Sequence, residues 1–263
     1  MREAGFDALV LFQPEAFQYA IGAPAGVATM WGRAGAAIAL VPSDAQHSLA
    51  AIVSDHAAPV VLQRAPDVEV RTHRIWIDGV DLSGVDTISG IDGAYRGSGV
   101  GGPRPETFDR SACFHLLADL LQEKGLRDAR IGVDLEFMPA ADFEALKTSI
   151  PSIRWVDGSL VLRRLRAIKT PREIERLRHA AMAAEAGLVR MMEAVSLGTS
   201  VASLSSAWKA GAQEAAATGG FSLSGYWDYI SVGPDLSNGA AKVTPGALIK
   251  ADVGTLVEGY SSD

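Results

Sequence analysis

The chain ends with the stretch Lys250-Ala-Asp-Val-Gly-Thr-Leu-Val-Glu-Gly-Tyr-Ser-Ser-Asp263, in which two carboxylates, Asp252 and Asp263, lie eleven residues apart. The β-forming residues 255–257, followed by Glu258-Gly259, predict an antiparallel hairpin. If the hairpin turns between Val257 and Glu258, the two aspartates lie directly opposite each other and point to the same face. Carboxylates so placed repel unless one is protonated or a cation lies between them. The alternative is two solvated aspartates on a surface hairpin.

Composition narrows the class of protein. The 263 residues are 48% hydrophobic and 21% charged, which is typical of a globular protein with one large domain or two ordinary ones. A net charge of −7 argues against nucleic acid or an anionic membrane as partner. No apolar run is long enough for a membrane helix. The single cysteine, Cys113, excludes an internal disulfide and favours a cytoplasmic location.

Strand and helix patterns alternate through the first part of the chain, which predicts an α/β domain. The predicted strands are 8–12, part of 32–42, 60–63, 67–78, 130–136 and 153–156. The predicted helices are 15–21, 48–56, 107–124 and 140–149. We expect this domain to end near Asp157-Gly158.

A second informative stretch, Arg166-Ala-Ile-Lys-Thr-Pro-Arg-Glu-Ile-Glu175, opens the remainder of the chain. Thr170 to Glu173 has the pattern of a capping box with proline at the first helical position. The helix that follows carries apolar residues spaced three and four apart, which predicts one face laid on a core: Ile174, Leu177, Ala181, Ala184, Leu188, Met191 and Val195. A further helix from about 201 to 217, a strand over 226–233 and the aspartate hairpin complete the order.

These motifs resemble the pita-bread metallopeptidases of the creatinase, prolidase and aminopeptidase P branch. The residues that carry the resemblance are Asp252-Val-Gly254 with Gly259-Tyr260 and Ser262-Asp263, the stretch 166–175 and, more weakly, Tyr19-Ala-Ile-Gly22. The resemblance implies a creatinase/prolidase-like α/β N-terminal domain at 1–158 and the first half of an α+β pita-bread domain at 159–263. It also implies that Asp252 and Asp263 are the first ligands of a dinuclear site for Mn²⁺, Zn²⁺, Co²⁺ or Fe²⁺.

Two departures from the family pattern qualify this expectation. The chain stops on Asp263, before the histidine and glutamate ligands of the family, so we expect a fragment that binds metal weakly and is inactive alone. The family also has a histidine in the loop before the first aspartate, whereas the loop 233–244 contains none. Asp235 or Asn238 could supply a hydrogen bond there, but neither is an imidazole general acid.

Three hypotheses for function follow. The first is a metal-dependent hydrolase of the Xaa-Pro aminopeptidase or dipeptidase type, acting on small peptides and forming a homodimer, as the resemblance implies. The second, favoured by the histidine-free loop, is a family member with altered chemistry, such as a small amide hydrolase or a lyase. The third is an inactive paralogue that serves as a binding or oligomerisation module.

Other motifs have simpler interpretations. Residues 97–102 match G-x-G-x-x-G but lack the following helix and acidic residue of a dinucleotide site, so a loop is the better interpretation. Cys113 and His115 do not share a helix face and are unsuited to a catalytic pair. Arg163, Arg164 and Arg166 form a basic cluster that we expect to make salt bridges between domains, with closure over a substrate carboxylate as the alternative. We expect Trp31 and Trp227 to serve packing rather than a pocket.

Overall fold

A six-stranded mixed sheet organises the first part of the chain in the computed structural model, which describes residues 1–97 and 103–263. Its strand order is β4-β3-β2-β1-β5-β6. The strands are β1 (Ala8–Leu11), β2 (Ile38–Pro42), β3 (Ala50–Ser54), β4 (Glu69–His73), β5 (Arg130–Val133) and β6 (Arg154–Asp157). Strand β2 is antiparallel to both β1 and β3, whereas β4, β5 and β6 join in parallel. This sheet lies in the first of two compact units, Met1–Ala167.

Helices cover both faces of this sheet because its central strands are apolar on both sides. The helices are α1 (Pro14–Ile21), α2 (Ala58–Arg64), α3 (Ile88–Gly97), α4 (Arg110–Glu123), α5 (Ala140–Ser149) and α6 (Ser159–Ala167). Side chains alternate across β1: Ala8 and Val10 join the core formed with α4, while Leu9 and Leu11 join the core formed with α1 and α2. The α/β prediction for this unit is therefore confirmed.

Two of the predicted elements were wrong. Residues 50–54 form β3 rather than a helix, because this short run is buried on both faces and periodicity cannot identify such a segment. Residues 58–64 form helix α2 rather than a strand; Pro59 lies in its first turn, and only Ala58 and Val61 are buried. Helix α3 had no counterpart among the predicted elements.

The carboxyl group of Asp134 joins β1, β5 and α1. It follows β5, is only 3% exposed, and accepts hydrogen bonds from the backbone N–H groups of Phe12 (3.0 Å) and Gln13 (2.8 Å). Burial raises the pKa of Asp134 to about 6, although these hydrogen bonds act in the opposite direction. The folded state therefore favours the protonated carboxyl group more than the unfolded chain does.

Replacing Asp134 should change how stability depends on pH. Protonated Asp134 stabilises the fold fully below about pH 3.8, and this contribution is lost as pH rises to about 6. At about 1.4 kcal/mol per pKa unit, the loss amounts to about 3 kcal/mol. In urea unfolding, Asp134→Asn should therefore gain about 3 kcal/mol relative to the wild type between pH 4 and pH 7. Asp109→Asn, at an exposed helix cap, is the control and should show no such window; equal pH profiles for Asp134→Asn and wild type would contradict the assignment.

The second unit, Ile168–Asp263, contains two long helices and a three-stranded sheet. Its elements are α7 (Pro171–Glu193), α8 (Val201–Gly219), β7 (Gly225–Val232), β8 (Ile249–Val257) and β9 (Tyr260–Ser261), with sheet order β7-β8-β9. The capping box is confirmed: Thr170 accepts from the Glu173 N–H, and the Glu173 carboxylate accepts from the Thr170 N–H. None of the helices in the described ranges is long and apolar enough to cross a membrane.

The apolar stripe predicted for α7 was partly wrong. Ala184 and Met191 are buried, but Ile174 is 45% and Val195 38% exposed. The remaining buried positions are mainly small residues, because α8 approaches closely: a Cβ on Gly187 would lie 2.7 Å from the backbone oxygen of Trp208. The predicted apolar stripe had the correct helical period. However, it was placed on the face with larger side chains, and the close contact with α8 has room only for small ones.

Candidate functional site

The hairpin between β8 and β9 turns between Glu258 and Gly259. Both residues have positive φ, 49° and 82°, as a two-residue turn matched to strand twist requires. Leu256 consequently pairs with Ser261, and Val257 pairs with Tyr260. The predicted register, turning between Val257 and Glu258, was wrong because it gave Glu258 a strand conformation instead of a turn conformation.

The corrected register offsets the two aspartates without separating them onto different faces. The Ser262 N–H donates to the Thr255 carbonyl (3.0 Å), so Asp263 follows opposite Gly254. Asp252 lies two residues from Gly254 on the same strand, and alternate residues of a strand share a face. Continuation of this register past Ser261 would make Asp252 and Asp263 diagonal neighbours, with backbones roughly 7–8 Å apart. Both residues are exposed. Asp252 lies on the sheet face opposite the helices, because its neighbours Ala251 and Val253 pack against the core of this unit.

The open face also carries two aromatic residues of β7. Tyr229 pairs with Asp252, and Trp227 pairs with Gly254. The Trp227 indole N–H donates to Asp252 Oδ1 (3.3 Å), and the ring lies against Gly254. Tyr229 is 73% exposed. Sequence reasoning treated Trp227 as packing; the signal it missed was the glycine two residues after Asp252, which leaves room for a ring.

The other face of the hairpin is fixed to α7. The Tyr260 hydroxyl donates to Glu173 Oε1 (3.1 Å), and the Thr255 hydroxyl donates to the Ala180 carbonyl (2.8 Å). Arg176 pairs with Glu258 and lies over the Tyr260 ring, 5.1 Å from its centroid. The two stretches singled out in the sequence thus meet, and α7 holds the strand pair that presents the aspartates.

The pKa values of this contact follow from its hydrogen bonds. Backbone and side-chain hydrogen bonds with Thr170, together with the Tyr260 hydroxyl, hold the pKa of Glu173 below its ordinary value despite burial. Burial, then the hydrogen bond to the ionised Glu173, raises the pKa of Tyr260. Glu173 therefore stays ionised and Tyr260 protonated near neutral pH, which keeps the contact intact.

The loop before β8 uses its own polar side chains. Asp235 accepts hydrogen bonds from the Ser237 N–H (3.0 Å) and hydroxyl (2.7 Å), and these lower the pKa of Asp235. Asn238 Oδ1 accepts from the Ala240 N–H (3.1 Å). Both residues proposed as substitutes for a loop histidine thus stabilise local turns, and Asp235 is an anion rather than an acid near neutral pH.

Asp252 and Asp263 suit a hard divalent cation by donor chemistry. Both supply carboxylate oxygens, the ligands that such cations favour. Among residues 1–97 and 103–263, no three histidine, cysteine, aspartate or glutamate side chains converge to hold a metal ion. The pair therefore fits part of a ligand set, and the described residues do not complete it.

The other residues singled out in the sequence either have structural roles or lie outside residues 1–97 and 103–263, which the structure describes. Burial raises the pKa of the Cys113 thiol to about 12, so it stays protonated. Arg163 pairs with Glu136 (2.9 Å), across the boundary expected at 158, whereas Arg166 lies over the Tyr19 ring. Both contacts lie within the unit Met1–Ala167. The glycine-rich motif at 97–102 lies outside the described residues except for Gly97, which ends α3.

The chain has the fold of the creatinase/prolidase family: an N-terminal creatinase-like domain followed by part of a pita-bread domain. Residues 99–168 match the family model of the creatinase/prolidase N-terminal domain. The motif at 252–263 and most of the motif at 166–175 lie in the second unit, Ile168–Asp263.

Individual relatives agree with this fold. An uncharacterized hydrolase/peptidase, y4tL, of Sinorhizobium fredii is 28% identical over 145 residues, 55% of this chain and 33% of the relative. The Xaa-Pro dipeptidase of Bacillus anthracis has a TM-score of 0.63 at 17% identity, over 99% of this chain and 59% of that one. The X-Pro aminopeptidase of Thermotoga maritima has a TM-score of 0.66 at 14% identity, with 99% and 60% covered. The chain thus spans about three fifths of the length of these structures.

Proposed function

We propose that this chain forms part of a metal-dependent hydrolase that cleaves peptide bonds of the Xaa-Pro type. The observation that carries the proposal is the pair Asp252 and Asp263 on the open face of a hairpin, within a pita-bread fold. Solved structures with the same fold are described as Xaa-Pro dipeptidase and X-Pro aminopeptidase, and a curated relative as a hydrolase/peptidase. Their activities support the reaction class proposed for the complete gene product.

In this proposal Asp252 and Asp263 hold Mn²⁺, Zn²⁺, Co²⁺ or Fe²⁺, and further ligands come from outside the 263 residues. Bound divalent metal supplies an acidified water and polarises the scissile carbonyl. The chain's own contribution is placement: the Glu173–Tyr260 contact fixes the hairpin, and the hairpin fixes both carboxylates on one face. Trp227 and Tyr229 form an aromatic border on the β7 side of that face, against which an apolar part of a substrate can pack.

A second candidate is hydrolysis of a small amide, or a lyase reaction, at the same carboxylates. The observation that favours it is the loop 233–244, which contains no histidine and in which Asp235 and Asn238 bind their own loop. This loop therefore supplies no imidazole as a general acid near neutral pH. The homodimer and the cytoplasmic location stay predictions.

The proposal predicts a specific pattern of activity for the complete gene product. With MnCl₂ added after metal removal, an Xaa-Pro dipeptide should be cleaved, an Xaa-Ala dipeptide should be cleaved much more slowly, and EDTA should abolish both activities. Proline release measured by chromatography provides the readout. Metal-dependent turnover of simple amides without peptide cleavage would favour the second candidate. Peptide cleavage that survives complete metal removal would refute the proposal.

A further inference from the structure

A cavity of about 460 Å³ lies on one face of the six-stranded sheet, within the unit Met1–Ala167. Leu9 and Leu11 of β1 form its floor together with Val41 of β2. Leu9 and Leu11 point to the same face because alternate residues of a strand do so, and Val41 pairs directly with Leu9. The volume lies within the range of sites for small molecules, roughly 300–1,000 Å³. The floor of the cavity is therefore an apolar surface of a size that suits a small ligand.

Helices α1 and α6 supply the walls of this cavity. Tyr19 and Ala20 line it from α1, and Leu162 and Leu165 line it from α6. The Tyr19 hydroxyl donates a hydrogen bond to the Leu165 carbonyl oxygen (3.2 Å), which ties the two walls together. Leu162 is 5% exposed and Leu165 is 43% exposed, so the cavity extends from the buried core to the surface. An apolar group can therefore enter it from solvent.

Two opposite charges stand at the mouth of the cavity, on the adjacent residues Arg2 and Glu3. The Arg2 Nε donates to the Ser43 carbonyl oxygen (3.2 Å), whereas Asp44 Oδ1 lies 3.9 Å from a terminal nitrogen of Arg2, beyond hydrogen-bond distance. The terminal N–H groups of this exposed arginine are thus available to a carboxylate. Glu3 is also exposed, and within residues 1–97 and 103–263 its carboxylate pairs with no cationic side chain.

We propose that this cavity is a binding site for a free apolar α-amino acid. The ligand side chain enters between α1 and α6 and covers the apolar floor. The ligand carboxylate accepts hydrogen bonds from the Arg2 guanidinium, and the ligand ammonium group donates to the Glu3 carboxylate. Every residue that carries this inference lies in the unit Met1–Ala167, so it does not rest on the proposed function.

The two charges at the mouth select among apolar ligands. An aliphatic carboxylate alone meets a like charge on Glu3, and an aliphatic amine alone meets a like charge on Arg2. A zwitterion has an opposite charge for each of the two residues. A polar ligand side chain would lose its water against the leucine and valine side chains of the floor without gaining hydrogen bonds there. Free L-leucine, which combines the zwitterion with an apolar side chain, is therefore the appropriate probe.

Binding of L-leucine to the 263-residue chain tests the proposal. With the leucine methyl groups of the protein isotopically labelled for NMR, the resonances of Leu9, Leu11 and Leu162 should shift at millimolar L-leucine. Two analogues, 4-methylpentanoate without the ammonium group and 3-methylbutylamine without the carboxylate, should each bind roughly 3- to 10-fold more weakly, because each lacks one charged hydrogen bond. Glycine, which has no side chain to enter the cavity, should leave these resonances in place.

Substitutions at the mouth separate the two charges without disturbing the core. Arg2→Gln should weaken binding of L-leucine and 4-methylpentanoate but not of 3-methylbutylamine. Glu3→Gln should weaken binding of L-leucine and 3-methylbutylamine but not of 4-methylpentanoate. Arg64→Gln, which replaces an exposed arginine at the end of α2, is the matched control and should leave all three affinities unchanged. Ala20→Leu, which fills part of the cavity from α1, should abolish the shifts.

The opposite results would overturn the inference. L-leucine that shifts no methyl resonance of the cavity, or that binds no more tightly than its two singly charged analogues, would refute the amino-acid site. Equal affinity of wild type, Arg2→Gln and Glu3→Gln for L-leucine would show an unselective apolar cavity and refute it as well. Shifts of the same resonances with protein concentration alone would assign the cavity instead to a side chain of a second copy. None of these results alters the proposal for Asp252 and Asp263, which is tested by metal-dependent activity.

Discussion

Asp142→Ala should destabilise the protein by about 1–3 kcal/mol, the usual cost of leaving buried hydrogen-bonding groups without their partner. The Asp142 side chain is fully buried in α5, yet it carries a charge. Arg33 donates to it through Nε (3.2 Å) and through a terminal nitrogen (2.7 Å), Arg110 pairs with it as well, and the Ala34 N–H donates to Oδ2 (3.0 Å). Burial alone would raise the pKa of Asp142, but these partners together hold it below its ordinary value.

The cost comes from the groups that Asp142 leaves behind. The Ala34 N–H is buried and would lose its acceptor, and two guanidinium groups would face each other without the anion between them. Urea unfolding monitored by circular dichroism measures the change. Glu144→Gln, on the same helix, removes an exposed carboxylate paired with Lys147 and should shift stability by no more than about 0.5 kcal/mol. A loss below about 1 kcal/mol for Asp142→Ala would show that this cluster does not stabilise the fold.

The pH dependence of this cluster has the opposite sign to that of Asp134. Because the folded pKa of Asp142 is lowered, its contribution is present above the unfolded pKa of 3.8 and is lost as pH falls through the folded value. Asp134, whose pKa is raised, loses its contribution as pH rises toward about 6. Asp142 has two arginines beside it, whereas Asp134 has backbone N–H groups. In both cases the partners are distant in sequence, so no local pattern could predict that the two pKa values shift in opposite directions.

Local sequence signals predicted the parts of the fold that depend on local chemistry. The capping box at 170–173 and the helix predicted at 15–21, which Gly22 ends in the structure, depend on residues a few positions apart, and the structure confirms both. Strand β3 and helix α2 were exchanged because burial of β3 depends on its neighbours β2 and β4, which no short window contains. The stripe on α7 was misplaced because Trp208 and Gly211 of α8 set which small residues face inward.

The candidate site likewise has features that the local sequence predicts and features that depend on residues distant in sequence. Two aspartates eleven residues apart, with a turn signal between them, were enough to predict the hairpin. The register differed because Glu258, rather than an asparagine or glycine, adopts a left-handed conformation, which its residue type does not favour. The place of Trp227 depends on pairing between β7 and β8, which are separated by a long loop, so sequence spacing could not bring it beside Asp252.

The largest effect on activity is expected from the aspartates themselves. In the complete gene product, Asp252→Asn or Asp263→Asn should lower kcat/KM for the Xaa-Pro dipeptide at least about a hundredfold. Stabilisation of developing charge by bound metal contributes several kcal/mol, and each 1.36 kcal/mol corresponds to a factor of ten. In the metal-free 263-residue chain, stability should change by no more than about 0.5 kcal/mol, because both carboxylates are exposed there. The comparison of Michaelis constants, rates and metal content by mass spectrometry separates loss of metal from loss of fold.

The double variant provides a stricter test. If Asp252 and Asp263 act as one ligand unit, the Asp252→Asn/Asp263→Asn protein should be scarcely less active than either single variant, since the first loss already removes the function of the second. Two independent carboxylates would instead give losses that multiply. Asp228→Asn on the helix-facing side should retain most activity, since its partners are Lys209 and Ser205 rather than the open face. Near-normal activity in either single variant would remove both aspartates from the proposed site, whatever the fold of the chain.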